Sequence, residues 1–250
     1  MPHASLVEDP DEEISPVSFA WDVLSYPFRR NGRPFLVVGT IILLLGEFLG
    51  NFQTLGFVGL VANLLIFAYL CGLYFELIEI SSHENDTVHC FPDLTEPLDD
   101  IAWPTLKVIG VLLIAHLPLS AWYLWGDPEA ASTAWVAPTL LGVAAFYFPM
   151  AMLGTVMHGT LLAASPHIVL PAIFRSGVLY FFAAVLISGL YAGQWYAADF
   201  LPQNVWLAGI LKAVISMYLL LTNARALGRL YLRRENEIGW FRDPDAFEEA

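Results

Sequence analysis

The segment 55–78, LGFVGLVANLLIFAYLCGLYFELI, contains no Asp, Lys or Arg and a single Glu, Glu76. A helix needs about 20 apolar residues to cross the hydrocarbon core, because each residue adds about 1.5 Å. The segment is therefore long and apolar enough to form one transmembrane helix. Five further runs have the same character: Pro34–Phe52, Pro104–Trp125, Trp135–Leu161, Ile168–Trp195 and Val205–Asn223.

The composition agrees with this interpretation. Of the 250 residues, 57% are hydrophobic and only 14% are charged, and the mean hydropathy is +0.61. Such a chain has too little polar surface to cover a soluble domain. We therefore predict an all-α fold, a polytopic transmembrane helical bundle of six spans.

The distribution of Lys and Arg predicts the orientation of the bundle. Arg29, Arg30 and Arg33 precede the first span, and Arg225 and further arginines follow the last. The connections 50–56, 126–134 and 196–204 contain neither Lys nor Arg. Because short basic loops stay on the cytoplasmic side, both termini are predicted to be cytoplasmic.

The chain divides into four predicted regions. Residues 1–14 form a disordered acidic leader, and residues 15–33 form an interfacial amphipathic helix. The six-span domain covers residues 34–232 and includes an inner loop at 83–103, and a cytoplasmic acidic tail follows at 233–250. We expect Arg29, Arg30 and Arg33 to contact lipid headgroups at the start of the first span.

Ionisable residues within the spans are candidate functional groups, because each costs about 2.5–3.5 kcal/mol to insert. Glu47 and Lys212 have opposite charges at similar predicted depth, which suggests an ion pair between the first and last spans. His116 and Glu76 form a second candidate polar site. Glu76 lies near the inner end of its span, where its carboxylate can reach water. A single histidine within a span, such as His116, typically forms a hydrogen bond between helices.

The inner loop allows two interpretations. His83, His89 and Cys90 lie among carboxylates and could ligate zinc, but their spacing matches no compact zinc motif. We therefore predict no metal site and favour a docking element at residues 91–103, here called the docking loop. Its apolar side is expected to contain Phe91, Leu94, Leu98 and Trp103, and its acidic side Asp93, Glu96, Asp99 and Asp100.

No phosphate-binding loop, nucleophile elbow or zinc-protease helix occurs in the sequence. We predict a non-enzymatic scaffold or accessory subunit of a membrane complex, without a cofactor. Its partners would be the lipid bilayer and either another membrane protein or a second copy. Nucleic-acid binding is disfavoured, because the basic residues lie next to the membrane. The alternative is a small permease or channel-like carrier that uses Glu47, His116 and Lys212.

Short motifs occur along most of residues 18–241. They are Ser25-Tyr26-Pro27-Phe28-Arg29, Phe91-Pro92-Asp93, Asp99-Asp100, Phe148-Pro149-Met150, Ala164-Ser165-Pro166, Arg225-Ala226-Leu227-Gly228 and Gly239-Trp240-Phe241. With these motifs the chain resembles a family of uncharacterised polytopic membrane proteins of bacteria and archaea, most closely its planctomycete-like members. The resemblance implies a helical domain in a bacterial cytoplasmic (inner) membrane and supplies no catalytic residue.

Overall fold

Seven α-helices make up most of the computed structural model, which describes residues 16–50, 56–83, 91–93, 95–126, 134–197 and 205–240. No strand occurs within these ranges. The helices are α1 (Pro16–Ser25), α2 (Arg33–Gly50), α3 (Gly56–Ser81), α4 (Trp103–Trp125), α5 (Val136–His158), α6 (Pro166–Ala197) and α7 (Val205–Ile238). Short turns of other helix types occur at Tyr26–Phe28, Leu98–Ala102 and Leu161–Ala164.

Five of these helices, α3 to α7, are long and apolar enough to cross a membrane. A sixth span results if α1 and α2 are taken together across their 60° bend. The prediction of an all-helical membrane protein is thereby confirmed. The orientation of the bundle and the count of six spans stay predictions. The predicted first span, Pro34–Phe52, extends beyond Gly50 into residues outside the described part of the chain.

Two helices differ from the apolar runs that predicted them. Helix α6 is interrupted at Gly177, where φ is 58° and ψ is −139°, a conformation open mainly to glycine. Helix α7 continues to Ile238, well beyond the apolar run that ends at Asn223 and into the predicted tail. The predicted leader 1–14 and the last part of the tail, 241–250, lie outside the described residues.

The buried core lies toward one end of the bundle. We call this the core end: α2, α4 and α6 begin there, and α3, α5 and α7 end there. Its fully buried side chains include Ile78 of α3, Met152 of α5 and Leu227 of α7. At the opposite end, the far end, large apolar side chains such as Phe57 and Trp125 are exposed. Exposed apolar surface of this extent fits contact with lipid.

Close helix contact at the core end depends on a glycine. A Cβ on Gly228 of α7 would lie 2.6 Å from the carbonyl oxygen of Ile78 and 2.4 Å from the Cβ of Ser81, both in α3. No side chain fits at that distance. The absence of a side chain therefore lets α3 and α7 approach backbone to backbone, as small residues commonly do between membrane helices.

Candidate functional site

A cluster of one carboxylate and three guanidinium groups, of which only Arg225 is fully buried, lies at the core end. The Oδ2 atom of Asp22, in α1, is 3.4 Å from Nε of Arg225 and 3.4 Å from Nε of Arg229, both in α7. The Oδ1 atom of Asp22 is 2.5 Å from Nη1 of Arg29. Arg225 is only 1% exposed, and its guanidinium lies 4.6 Å from the ring centroid of Tyr26. We call these four charged residues the arginine cluster.

The apolar pattern of α1 places Asp22 against α7. Phe19 and Val23 lie on the same side of this short helix as Asp22, and both are buried. The Phe19 ring makes an edge contact with Phe182 of α6, with centroids 6.4 Å apart. The helix therefore packs over α6 and α7 through apolar side chains, and this packing carries the carboxylate inward.

Three arginines determine the charge of Asp22. Burial alone would raise the pKa of its carboxyl group. Arg225, Arg229 and Arg29 together outweigh that effect and hold the pKa below its usual value of 3.8. Asp22 is therefore ionised at neutral pH and attaches α1 to the end of α7.

Acid should release this attachment. Because the folded-state pKa of Asp22 is lowered, its contribution to stability is complete above the unfolded value of 3.8 and is lost as pH falls through the folded value. We expect the stability difference between the wild type and Asp22→Asn, measured by unfolding in detergent, to shrink steadily below about pH 4. A difference that stays constant down to about pH 2.5 would contradict the ion-pair assignment.

The sequence alone does not reveal this cluster. It predicts only that Arg225 is one of several cytoplasmic arginines that follow the last span. One signal was present: Asp22 is the only charged residue in the segment PVSFAWDVLSYPF at 16–28. A single acid in an otherwise apolar amphipathic segment requires a cationic partner, but the sequence cannot say which arginine supplies it.

A second polar contact ties three helices together near Arg225. The hydroxyl of Tyr74, in α3, donates to Oδ1 of Asn223 in α7 at 3.1 Å. The amide of Asn223 donates to the hydroxyl of Tyr191 in α6 at 3.3 Å. These bonds satisfy the buried side chain of Asn223, which would otherwise be costly within an apolar core.

The docking loop is held firmly against the bundle. The ring of Phe91 packs against Phe35 of α2, with centroids 4.8 Å apart. The carboxylate of Asp100 accepts the backbone N–H of Asp93 at 2.7 Å. The carbonyl oxygen of Asp100 also lies 2.2 Å from the position that a Cβ on Gly72 would occupy, so the loop touches the backbone of α3.

The loop does not divide into one apolar side and one acidic side. Phe91 points toward α2, whereas Leu98 and Trp103 are exposed. Asp93, Glu96 and Asp99 are exposed as expected, but Asp100 bonds within the loop. The Thr95 backbone N–H, which donates to Asp93, holds the pKa of that carboxyl below its usual value. Leu94 lies outside the described residues.

A cleft separates the start of α4 from the turn that follows α5. Its volume is about 540 Å³, and it is lined by Asp99, Trp103, Leu106, Lys107, Gly159, Thr160 and Leu161. Asp99, Trp103, Leu106 and Lys107 lie on one face of a continuous helical segment. Trp103 follows Asp99 by four residues and precedes Leu106 and Lys107 by three and four residues. The cleft therefore contains one carboxylate and one ammonium group between apolar walls.

The structure brings Glu47 into contact with the helix that carries Lys212. An oxygen of the Glu47 carboxylate lies 2.9 Å from the position of a Cβ on Gly209, three residues before Lys212. Both charged side chains are exposed. Among the described residues, no ion pair within 4.0 Å joins Glu47 to Lys212. Their pairing stays a prediction.

His116 and Glu76 occupy separate places. The Nδ1 atom of His116 lies 2.9 Å from the carbonyl oxygen of Leu112, in its own helix. Glu76 is half-buried at the core end, close to Glu79 and Asp100. The structure therefore does not bring these two residues together into one site.

The structure describes the three arginines predicted to contact lipid and some of the residues of the disfavoured metal site. Arg29 and Arg30 are exposed before α2, Arg33 is exposed at its first position, and Arg29 also pairs with Asp22. Of the possible zinc ligands, His89 and Cys90 lie outside the described residues. The described part of the chain contains no group of three or more potential metal ligands.

Comparisons with protein-family models, curated proteins and solved structures gave no match to this chain. The family resemblance therefore stays a prediction that rests on the short motifs. Most of those motifs lie at the core end. Tyr26 contacts the arginine cluster, Arg29 and Arg225 belong to it, and Gly228 touches α3.

Proposed function

We propose that this protein is a non-enzymatic membrane scaffold that binds a basic segment of another integral membrane protein through its docking loop. The observation that carries the proposal is an exposed leucine among acids. Leu98 is 71% exposed, and Asp93 and Glu96 beside it are exposed as well. Protein-binding surfaces commonly place apolar side chains at their centre and polar ones at the rim.

The anchoring of the loop supports this role. At one end of the loop, Phe91 packs against Phe35 of α2. Toward the other end, Asp100 contacts Gly72 of α3 and bonds to the backbone of Asp93. A loop that is already ordered loses less conformational entropy when a partner binds. Leu98 is therefore presented in a defined position rather than on a flexible segment.

The acidic rim selects the chemistry of the partner. In the proposed orientation, the docking loop lies on the cytoplasmic side of the membrane. Membrane proteins concentrate Lys and Arg in the short loops on that side. A neighbouring membrane protein would therefore present basic groups to Asp93 and Glu96 at the same level, which gives charge complementarity.

Partner retention in mild detergent tests the proposal. Leu98→Asn should reduce retention at least about tenfold, because it removes the apolar anchor. Glu96→Gln should make the remaining binding less sensitive to salt, because it removes one charge of the rim. The matched control is Leu162→Asn, which changes a leucine at the same end that is 77% exposed but lies outside the docking loop.

Two results would contradict the scaffold. One is equal partner retention in Leu98→Asn and Leu162→Asn. The other is solute uptake by vesicles that contain only this protein, provided that Glu47→Gln or His116→Ala abolishes it. That second result would establish the carrier alternative. The present positions of these residues favour it less, because His116 bonds to its own helix while Glu47 lies against Gly209 of α7.

A further inference from the structure

The cleft between α4 and the turn after α5 is lined by two residues of opposite charge. Asp99 and Lys107 both line it. Among the described residues, neither side chain has an ion-pair partner within 4.0 Å. The ammonium of Lys107 lies 5.7 Å from the ring centroid of Phe75, which orients the charge without neutralising it.

Apart from Thr160, the other side chains that line the cleft are apolar, and the cleft lies where the apolar run of α4 begins. Trp103 and Leu106 are both exposed, and the apolar run of α4 starts between them at Pro104. Leu161 also lines the cleft, and its side chain packs against α4 at Gly110, 2.6 Å from the position that a Cβ there would occupy. Tryptophan at this level is typical of the boundary between headgroups and acyl chains.

The turn after α5 leaves the other side of the cleft open. Gly159 has a φ of 65°, which ends the helix and reverses the chain, and no other atom lies within 4 Å of its Cβ position. A volume of about 540 Å³ falls within the range of small-molecule sites, about 300–1,000 Å³. The cleft can therefore admit a polar headgroup from the membrane side.

We propose that this cleft binds the headgroup of an amine-bearing zwitterionic phospholipid, a phosphoethanolamine lipid. Lys107 contacts the phosphate, Asp99 accepts a hydrogen bond from the lipid ammonium, and Trp103 and Leu106 contact the glycerol and the first acyl carbons. A lipid with both charges neutralises both side chains, whereas an anionic lipid leaves the Asp99 carboxylate without a cation. The site does not depend on the docking of a protein partner at Leu98.

Lipid competition in nanodiscs tests the proposal. The purified protein is placed in discs of equal phosphatidylethanolamine and phosphatidylglycerol, and the lipid that remains bound after detergent extraction is identified by mass spectrometry. The wild type should retain phosphatidylethanolamine preferentially. Asp99→Asn should abolish that preference, and Lys107→Gln should lower retention of both lipids at least about tenfold.

Three further comparisons make the result specific. Arg234→Gln removes a cation at the same end of the bundle but outside the cleft, and it should leave retention unchanged. Lys107→Arg keeps the charge and should retain lipid, which separates charge loss from misfolding of Lys107→Gln. Soluble phosphoethanolamine should not displace the lipid at matched concentration, because it lacks the part that contacts Trp103 and Leu106.

Three outcomes would overturn the proposal. The first is a wild-type protein that retains the two lipids equally. The second is an Asp99→Asn variant that keeps the wild-type preference. The third is displacement by soluble phosphoethanolamine at matched concentration, which would show that the apolar walls contribute nothing and that the ligand is not a membrane lipid.

Discussion

Replacing Asp22 with asparagine should lower the free energy of unfolding by about 3 kcal/mol, the lower end of the cost of removing one partner from a buried ion pair, because the Asp22 side chain is 18% exposed and that of Arg29 is 45% exposed. The variant keeps the shape of the side chain but removes the charge that Arg29, Arg225 and Arg229 share. Because Arg225 is 1% exposed, water cannot replace the carboxylate there. The measurement is unfolding of the purified protein in mixed micelles, at neutral pH.

The double variant Asp22→Asn with Arg225→Met separates the ion pair from general packing. It removes the buried cation together with its counterion and should recover a large part of the loss. Glu237→Gln is the matched control, since it breaks the exposed pair between Arg234 and Glu237. That change should cost at most about 0.5 kcal/mol. Equal losses of unfolding free energy in Asp22→Asn and Glu237→Gln would show that the arginine cluster stabilises the fold no more than an exposed ion pair does.

Gly228→Ala should be the second most damaging change. Its new methyl group would collide with the carbonyl oxygen of Ile78 and with Ser81, and backbone atoms cannot move aside as a flexible side chain can. Overpacking of this kind typically costs about 1–3 kcal/mol, and here it would separate α3 from α7. The measurement is thermal unfolding in detergent.

Gly142→Ala is the matched control for that prediction. Gly142 lies in the middle of α5, and no atom lies within 4 Å of its Cβ position. Alanine favours the helix over glycine by about 1 kcal/mol, so this variant should be unchanged or slightly more stable. If both alanine variants unfolded at the wild-type temperature, the close contact between α3 and α7 would be wrong.

The sequence predicts the helical membrane fold well because that prediction needs only local information. Apolar runs such as 55–78 give each helix directly, since lipid imposes one requirement on every residue of a span. The extent of α7 is different. Residues 224–238 are rich in charge and lie beyond the apolar run, but Leu227, Tyr231 and Ile238 recur at helical spacing and are buried. Hydropathy alone therefore ends the helix too early.

The candidate sites show the same limit at the level of single side chains. The sequence places Arg225 near the membrane boundary but cannot show that α1 folds back over it. It predicts one apolar side for the docking loop from helical spacing, but the contact between Gly72 and Asp100 and the wide turn at Leu98–Ala102 change which residues point outward. It gives the depth of Glu47, but not its contact with Gly209.

Site-specific photo-crosslinking in native membranes tests the proposed scaffold most directly. A photoreactive amino acid is placed at position 98 or, as a control, at position 162. We predict a single defined crosslink to one integral membrane protein from position 98, which weakens when Glu96 is changed to Gln, and crosslinks to lipid alone from position 162. Crosslinks to lipid alone from position 98 would contradict docking through Leu98.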